Sequence, residues 1–152
     1  MGNAKEAIIL FLLGRIAYID CKKRVIPREY LLIGCEIRLF LLIIEVFQNG
    51  QGALNQVVLE LAGSIIIMAF LFGVRCLSHM GLGMGDVKLL GVISLFLGWT
   101  VTIEALANSM IIAVVLGCFS YIKNKVKEIP FAPALLCGTI LTIFSKNSLF
   151  PF

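Results

Sequence analysis

The sequence predicts an all-α, polytopic membrane protein with about six transmembrane helices, and three observations carry that expectation. Hydrophobic residues fill 60% of the 152 positions and mean hydropathy is +1.02, far above an ordinary soluble chain. Charged residues make up only 14%, too few to cover the apolar surface that a soluble fold of this size would expose. The chain also divides into six apolar segments, at roughly 4–20, 29–47, 56–75, 87–99, 102–122 and 130–147, which read as spans joined by loops. The length allows one domain over 1–152. No internal repeat, low-complexity tract or interdomain linker divides it.

The first segment carries Arg15 and ends on Asp20, with Cys21, Lys22, Lys23 and Arg24 following at once. A secretory signal would place its basic residues ahead of the apolar run and a small-residue cleavage site behind it. Here the order is reversed, so the segment is expected to stay as the first span. The second segment holds Glu36 and Arg38. With Arg15, Glu60 and Glu104, these are expected to form buried ion pairs, a polar path for water being the other use. The uncharged stretch 48–55 reads as a short external turn leading to the third segment. The fourth is well short of the ~20 residues an upright span needs. It implies local thinning, or a helix that begins inside the protein beside a wet site. The fifth and sixth segments complete the set.

Lys and Arg set the orientation. Lys22, Lys23, Arg24, Arg28, Arg75, Lys88, Lys123, Lys125 and Lys127 lie on one side and only Lys5 and Lys146 on the other. Nine against two places the basic loops in the cytoplasm and both termini outside. Net charge is +4, which this topology accounts for, and no nucleic-acid motif accompanies it. The five cysteines are scattered without a CxxC pair and the chain has one histidine, His79, so no zinc or disulfide framework is expected. Cys21 is the one cysteine whose position leaves room for reactivity. His79 reads as a solvated loop residue, and Met80 and Met84 as apolar lining that would suit a flexible substrate helix.

Asp20 and Asp86 are the only aspartates, and both fall at the edge of an apolar run on the basic side. Ionisable groups at such depth are costly and carry a functional reading by default. Two carboxyls sharing a proton can hydrolyse a peptide without metal or covalent nucleophile: the ionised one takes a proton from water while the protonated one polarises the scissile carbonyl. Such a pair titrates as a unit. Gly81, Gly83 and Gly85 remove side chains just ahead of Asp86, so an extended backbone can approach closely and a helix can begin near the aspartate. Taken singly, Asp86 also reads as a helix N-cap, and Asp20 as an interfacial acid offset by Lys22 and Lys23. Lys88 reads either as a group that tunes the dyad or positions the substrate carbonyl, or as a topological charge.

Three segments resemble a known family. Asp20-Cys21-Lys22-Lys23-Arg24-Val25-Ile26-Pro27 resembles the first catalytic segment of the type IV prepilin peptidases. Gly83-Met84-Gly85-Asp86-Val87-Lys88 matches their GxGDxK segment without departure, and Ile129-Pro130-Phe131-Ala132-Pro133 is similar to their late Pro-Phe-x-Pro stretch. Occurring in the expected order, these imply a six-helix intramembrane aspartic endopeptidase that removes the short basic leader of prepilin or pseudopilin precursors at the cytoplasmic face. The resemblance implies Asp20 and Asp86 as the catalytic pair, with Gly83 and Gly85 shaping the site and Pro130 and Pro133 shaping its opposite wall. It implies neither cofactor nor metal. The partners implied are the precursor and the lipid bilayer, and the oligomeric state is left open. Selectivity for a basic leader would come from acids such as Glu29 or Glu128, or from placement at the lipid surface.

Longer family members carry an N-terminal domain with paired cysteines that accompanies N-methyltransferase activity. The sequence lacks such a segment, so the resemblance implies the compact, peptidase-only form and an unmethylated product. Presenilin and signal peptide peptidase share GxGD, and Pro133-Ala134-Leu135 matches their Pro-Ala-Leu motif, but their first aspartate lies one helix before GxGD rather than two spans earlier. A protease of that kind is the alternative. A small proton- or cation-coupled transporter is the other, although such carriers place their acids nearer mid-membrane.

Overall fold

The computed structural model describes residues 2–77, 83–124 and 131–149, and every regular element among them is a helix. They are α1 (Gly2–Lys23), α2 (Arg28–Leu77), α3 (Met84–Leu97), α4 (Trp99–Asn124) and α5 (Phe131–Leu149). Their contacts group into two units: residues 1–26 with 100–152, and residues 27–99. Within these helices Val57–Leu77 and Trp99–Cys118 are long and apolar enough to cross a membrane, and Phe131–Lys146 is apolar but shorter.

α2 contains 50 residues, and a straight helix of that length would reach about 75 Å, more than twice the hydrocarbon thickness of a bilayer. It does not run straight. Arg38 and Glu60, separated by 22 positions, form a 2.9 Å ion pair, whereas a straight helix would set them about 33 Å apart. Arg38 also binds Leu95 while Ser64 binds Ser94, so distant parts of α2 meet adjacent residues of α3. The helix therefore folds back between Arg38 and Glu60, and its two arms correspond to the second and third expected segments. The turn expected at 48–55 falls in that interval, but its backbone keeps helical hydrogen bonding. With the arms counted separately, the fold is six-helical.

The second unit is built around α3. In the first arm Leu31, Gly34, Arg38, Leu42 and Glu45 are buried, and in the second Ser64, Ile67 and Leu71. Both series follow the three- and four-residue spacing of one helix face. α3 is buried nearly all round, at Val87, Leu89 through Ser94, and Phe96, as a helix enclosed by others must be. At about 21 Å long it is too short to span the hydrocarbon upright, as the sequence implied. It ends where Gly98 adopts φ 82°, a conformation that side-chain-bearing residues rarely adopt, and the Gly98 N–H returns to the Ser94 carbonyl at 3.0 Å. Gly91 faces Met68, and Gly63 lies against the Trp99 ring.

The first unit pairs α1 with α5. Ile9, Leu12, Leu13, Ile16, Ala17 and Asp20 form the buried face of α1, so the aspartate sits at the end of an otherwise apolar stripe. In α5, Gly138 allows the backbone of α4 to come close: a Cβ there would lie 2.6 Å from the Ser109 nitrogen and 2.8 Å from the Ala105 oxygen. Asn108 adds an interhelical hydrogen bond to Thr142 Oγ1 at 2.9 Å. In hydrocarbon, where apolar side chains gain little by leaving lipid for protein, small residues and polar links of this sort hold helices together.

Candidate active site

Asp20 lies in the last turn of α1 and is 6% exposed. Its backbone carbonyl accepts the N–H of Arg24 at 2.9 Å, and Arg24 itself has φ 52°. This left-handed residue ends the helix and turns the chain away one helical turn after the aspartate. The side chain points to a different helix. Asp20 Oδ2 accepts the backbone N–H of Ala132 at 3.2 Å, the second residue of α5. The first N–H groups of a helix have no partner within it and carry the positive end of its dipole, so α5 offers a buried carboxylate both a hydrogen bond and a favourable field. Pro133, the third residue of α5, fits because the first turn does not need its missing N–H. The late motif is thereby brought against the first aspartate. Pro130 and Glu128 lie outside the described residues.

Asp86 is half-buried in the first turn of α3. Gly83 precedes that helix with φ −63° and ψ 136°, and its carbonyl accepts the N–H of Asp86 at 3.1 Å and of Val87 at 3.3 Å. The Asp86 carboxylate folds back over the glycine: a Cβ built on Gly83 would be 2.8 Å from Oδ2 and 3.5 Å from Cγ. Gly83 thus leaves the room this rotamer occupies, while its own dihedrals are open to any residue. Gly85 is half-buried between the two, and Gly81, His79 and Met80 lie outside the described residues. Lys88 is exposed. Two positions beyond Asp86, it stands about 200° round the helix and so on a different face. Met84 is exposed, as are Cys21 and Glu29.

The charges inside the spans separate into two kinds. Arg15, Glu36 and Glu104 are exposed, so the buried pairs expected of them are not formed. Arg38 is 1% exposed and does pair, with Glu45 at 3.2 Å and Glu60 at 2.9 Å. Glu45 is the partner that sequence reasoning missed. It stands seven positions, about two turns, from Arg38, on the buried stripe, whereas Glu36 is two positions away on another face. The three- and four-residue periodicity of the stripe would have identified it.

Known proteins place this arrangement in context. Residues 7–118 match the type IV leader peptidase family, a range that includes both aspartates and the whole GxGD segment. The chain is 30% identical over 95 residues to the prepilin leader peptidase/N-methyltransferase of Bacillus subtilis (strain 168), a match that covers 60% of this chain and 38% of that protein. The chain thus spans well under half the length of the curated relative it matches. No solved structure matches it.

Proposed function

The chain belongs to the type IV leader peptidase family, and on that footing we propose that it is an aspartic endopeptidase that removes the leader from prepilin-like precursors at the cytoplasmic face of the cell membrane. Asp20 and Asp86 are its acid/base pair. The ionised carboxyl takes a proton from water as the water oxygen attacks the scissile carbonyl, and the other carboxyl donates its proton to the developing oxyanion. Collapse of the tetrahedral intermediate breaks the C–N bond, and the amine leaves with a proton returned from the pair. Gly83 gives the Asp86 carboxylate its place, Gly85 keeps the approach to it free of a side chain, and the Pro133 segment holds Asp20.

The observation that carries this reading is the hydrogen bond from Ala132 to Asp20. It joins two motif segments far apart in sequence and takes a buried carboxylate into a polar contact that leaves Oδ1 outside that bond. A merely solvated interfacial acid would need neither the burial nor the helix N-terminus. The substrate class and the membrane side rest on the family and on the distribution of basic loops.

The test is co-expression with a type IV prepilin in a host lacking its own leader peptidase. The wild-type chain shortens the precursor, while Asp20→Asn and Asp86→Asn each leave it intact although both variants remain in the membrane fraction. Full processing by either variant would remove that residue from the pair.

A further inference from the structure

Arg38 sits in the interior of the second unit with one partner for each of its nitrogens. Nε donates to the backbone carbonyl of Leu95, Nη1 meets Glu45 at 3.2 Å and Nη2 meets Glu60 at 2.9 Å. The three partners come from α3 and from the two arms of α2. Leu95 lies in the final turn of α3, whose carbonyls lack helical donors and carry the negative end of the dipole. Arg38 therefore caps the helix that presents Asp86 at its other end.

We propose that Arg38 is a positioning residue for Asp86, fixing the rotation and depth of α3 by tying its C-terminal end to both arms of α2. The proposal rests on the assignment of Asp86 to the catalytic pair. α3 is apolar almost all round, and an apolar cylinder within apolar neighbours has little to prevent it from turning or sliding. Directional bonds supply the register, here the Arg38 fork and the 3.0 Å contact between Ser64 and Ser94. A slip of one residue would carry Asp86 about 1.5 Å along the axis and 100° around it. Misplacement of about 1 Å already costs on the order of a hundredfold in rate. Stability alone is a poor reason for the group, because buried ion triads are often no more stabilising than well-packed apolar residues of the same volume.

The test uses the full chain in lipid nanodiscs, cleavage of a purified type IV prepilin, thermal unfolding, and hydrogen exchange of the amides at 84–90. Arg38→Met takes the guanidinium away from the buried Glu45 and the half-buried Glu60, so it lowers both stability and turnover and does not discriminate by itself. Arg38→Met combined with Glu45→Gln and Glu60→Gln removes the charges together. The triple variant is expected to recover most of the melting temperature, with kcat still down about tenfold or more, KM within about threefold, and exchange at 84–90 still about tenfold faster than wild type. Arg38→Lys keeps a charge but loses the fork, and falls between wild type and Arg38→Met in kcat. Recovery of both turnover and exchange protection in the triple variant would overturn the proposal, since Arg38 would then only neutralise two acids. Unaltered exchange at 84–90 in the triple variant would overturn it as well. Should the wild-type chain leave the prepilin uncut, the peptidase reading fails on that result, and the exchange data still decide whether Arg38 holds α3.

Discussion

Gly83→Ala separates catalysis from folding at this site. The new methyl carbon would lie 2.8 Å from Asp86 Oδ2, while ordinary contact begins near 3.4 Å, so the carboxylate must move by about 0.6 Å (3.4 − 2.8). At roughly a hundredfold per ångström, that displacement lowers the rate roughly tenfold to twentyfold. Stability should hardly change. The backbone at Gly83, φ −63° and ψ 136°, accepts alanine without strain. The weaker N-cap propensity of alanine, up to about 1 kcal/mol, is offset by the roughly 0.4–1 kcal/mol gained when a glycine is removed from the unfolded chain. The measurement is the initial rate of leader removal from purified prepilin, taken beside the melting temperature of the same detergent preparation. The expected result is a melting temperature within a few degrees of wild type and a rate down by at least tenfold. A wild-type rate would refute the reasoning: either the carboxylate does not lie over Gly83 during turnover, or Asp86 is not part of the chemistry.

Four further outcomes follow from the same geometry. Ala132→Pro removes the donor to Asp20 at a first-turn position where proline is tolerated, and leader removal should fall roughly tenfold, the equivalent of a hydrogen bond to a charged group, in a protein that still inserts. Asp20→Glu and Asp86→Glu keep the charge but move each carboxyl by about 1 Å, so processing measured in the co-expression assay should fall about a hundredfold. Gly138→Ala drives a methyl into the backbone of α4, 2.6 Å from the Ser109 nitrogen; because a backbone cannot give way as a side chain can, unfolding in detergent should show a loss of about 1–3 kcal/mol. Single cysteines at Asn3 and Asn55 in a cysteine-free background should react with an impermeant maleimide in intact cells, and one at Asn124 only after permeabilisation; the reverse pattern would put the basic loops, and the aspartates with them, on the outer side.

The fold was largely legible because membrane helices are written in long apolar runs that few other structures could use. α1, α4 and α5 each fall within three residues of the segments at 4–20, 102–122 and 130–147. The helix boundary lies ahead of the gap between the segments 87–99 and 102–122: the break comes at Gly98, a single residue whose positive φ ends α3 without any charge or composition change to announce it. The fold-back of α2 was legible in the uncharged stretch 48–55, but its helical backbone was not, because glycine there weakens helix propensity only by about 1 kcal/mol and neighbouring turns can override it. As candidates, Asp20 and Asp86 stand out by their rarity, and Gly83 by its spacing to Asp86. The links that hold them were not. The Ala132 N–H has no side-chain signature, and its distance of 112 positions from Asp20 leaves no local periodicity to read. The Arg38 partners required knowing which face of each helix is buried, and an exposed Glu36 close to Arg38 in sequence competes with the buried Glu45 that pairs with it.

Both aspartates are served by the start of a helix, though by different routes. Asp20 comes from the end of α1 and binds the second N–H of α5, whereas Asp86 belongs to the first turn of the helix it faces. In each case the positive end of a helix dipole lies beside a carboxylate. At Asp20 the Ala132 N–H engages a single oxygen, Oδ2, and the start of α5 adds the equivalent of about half a unit of positive charge. Under the proposed pairing, α3 presents Asp86 in its first turn, directly after the glycine-rich stretch 81–85.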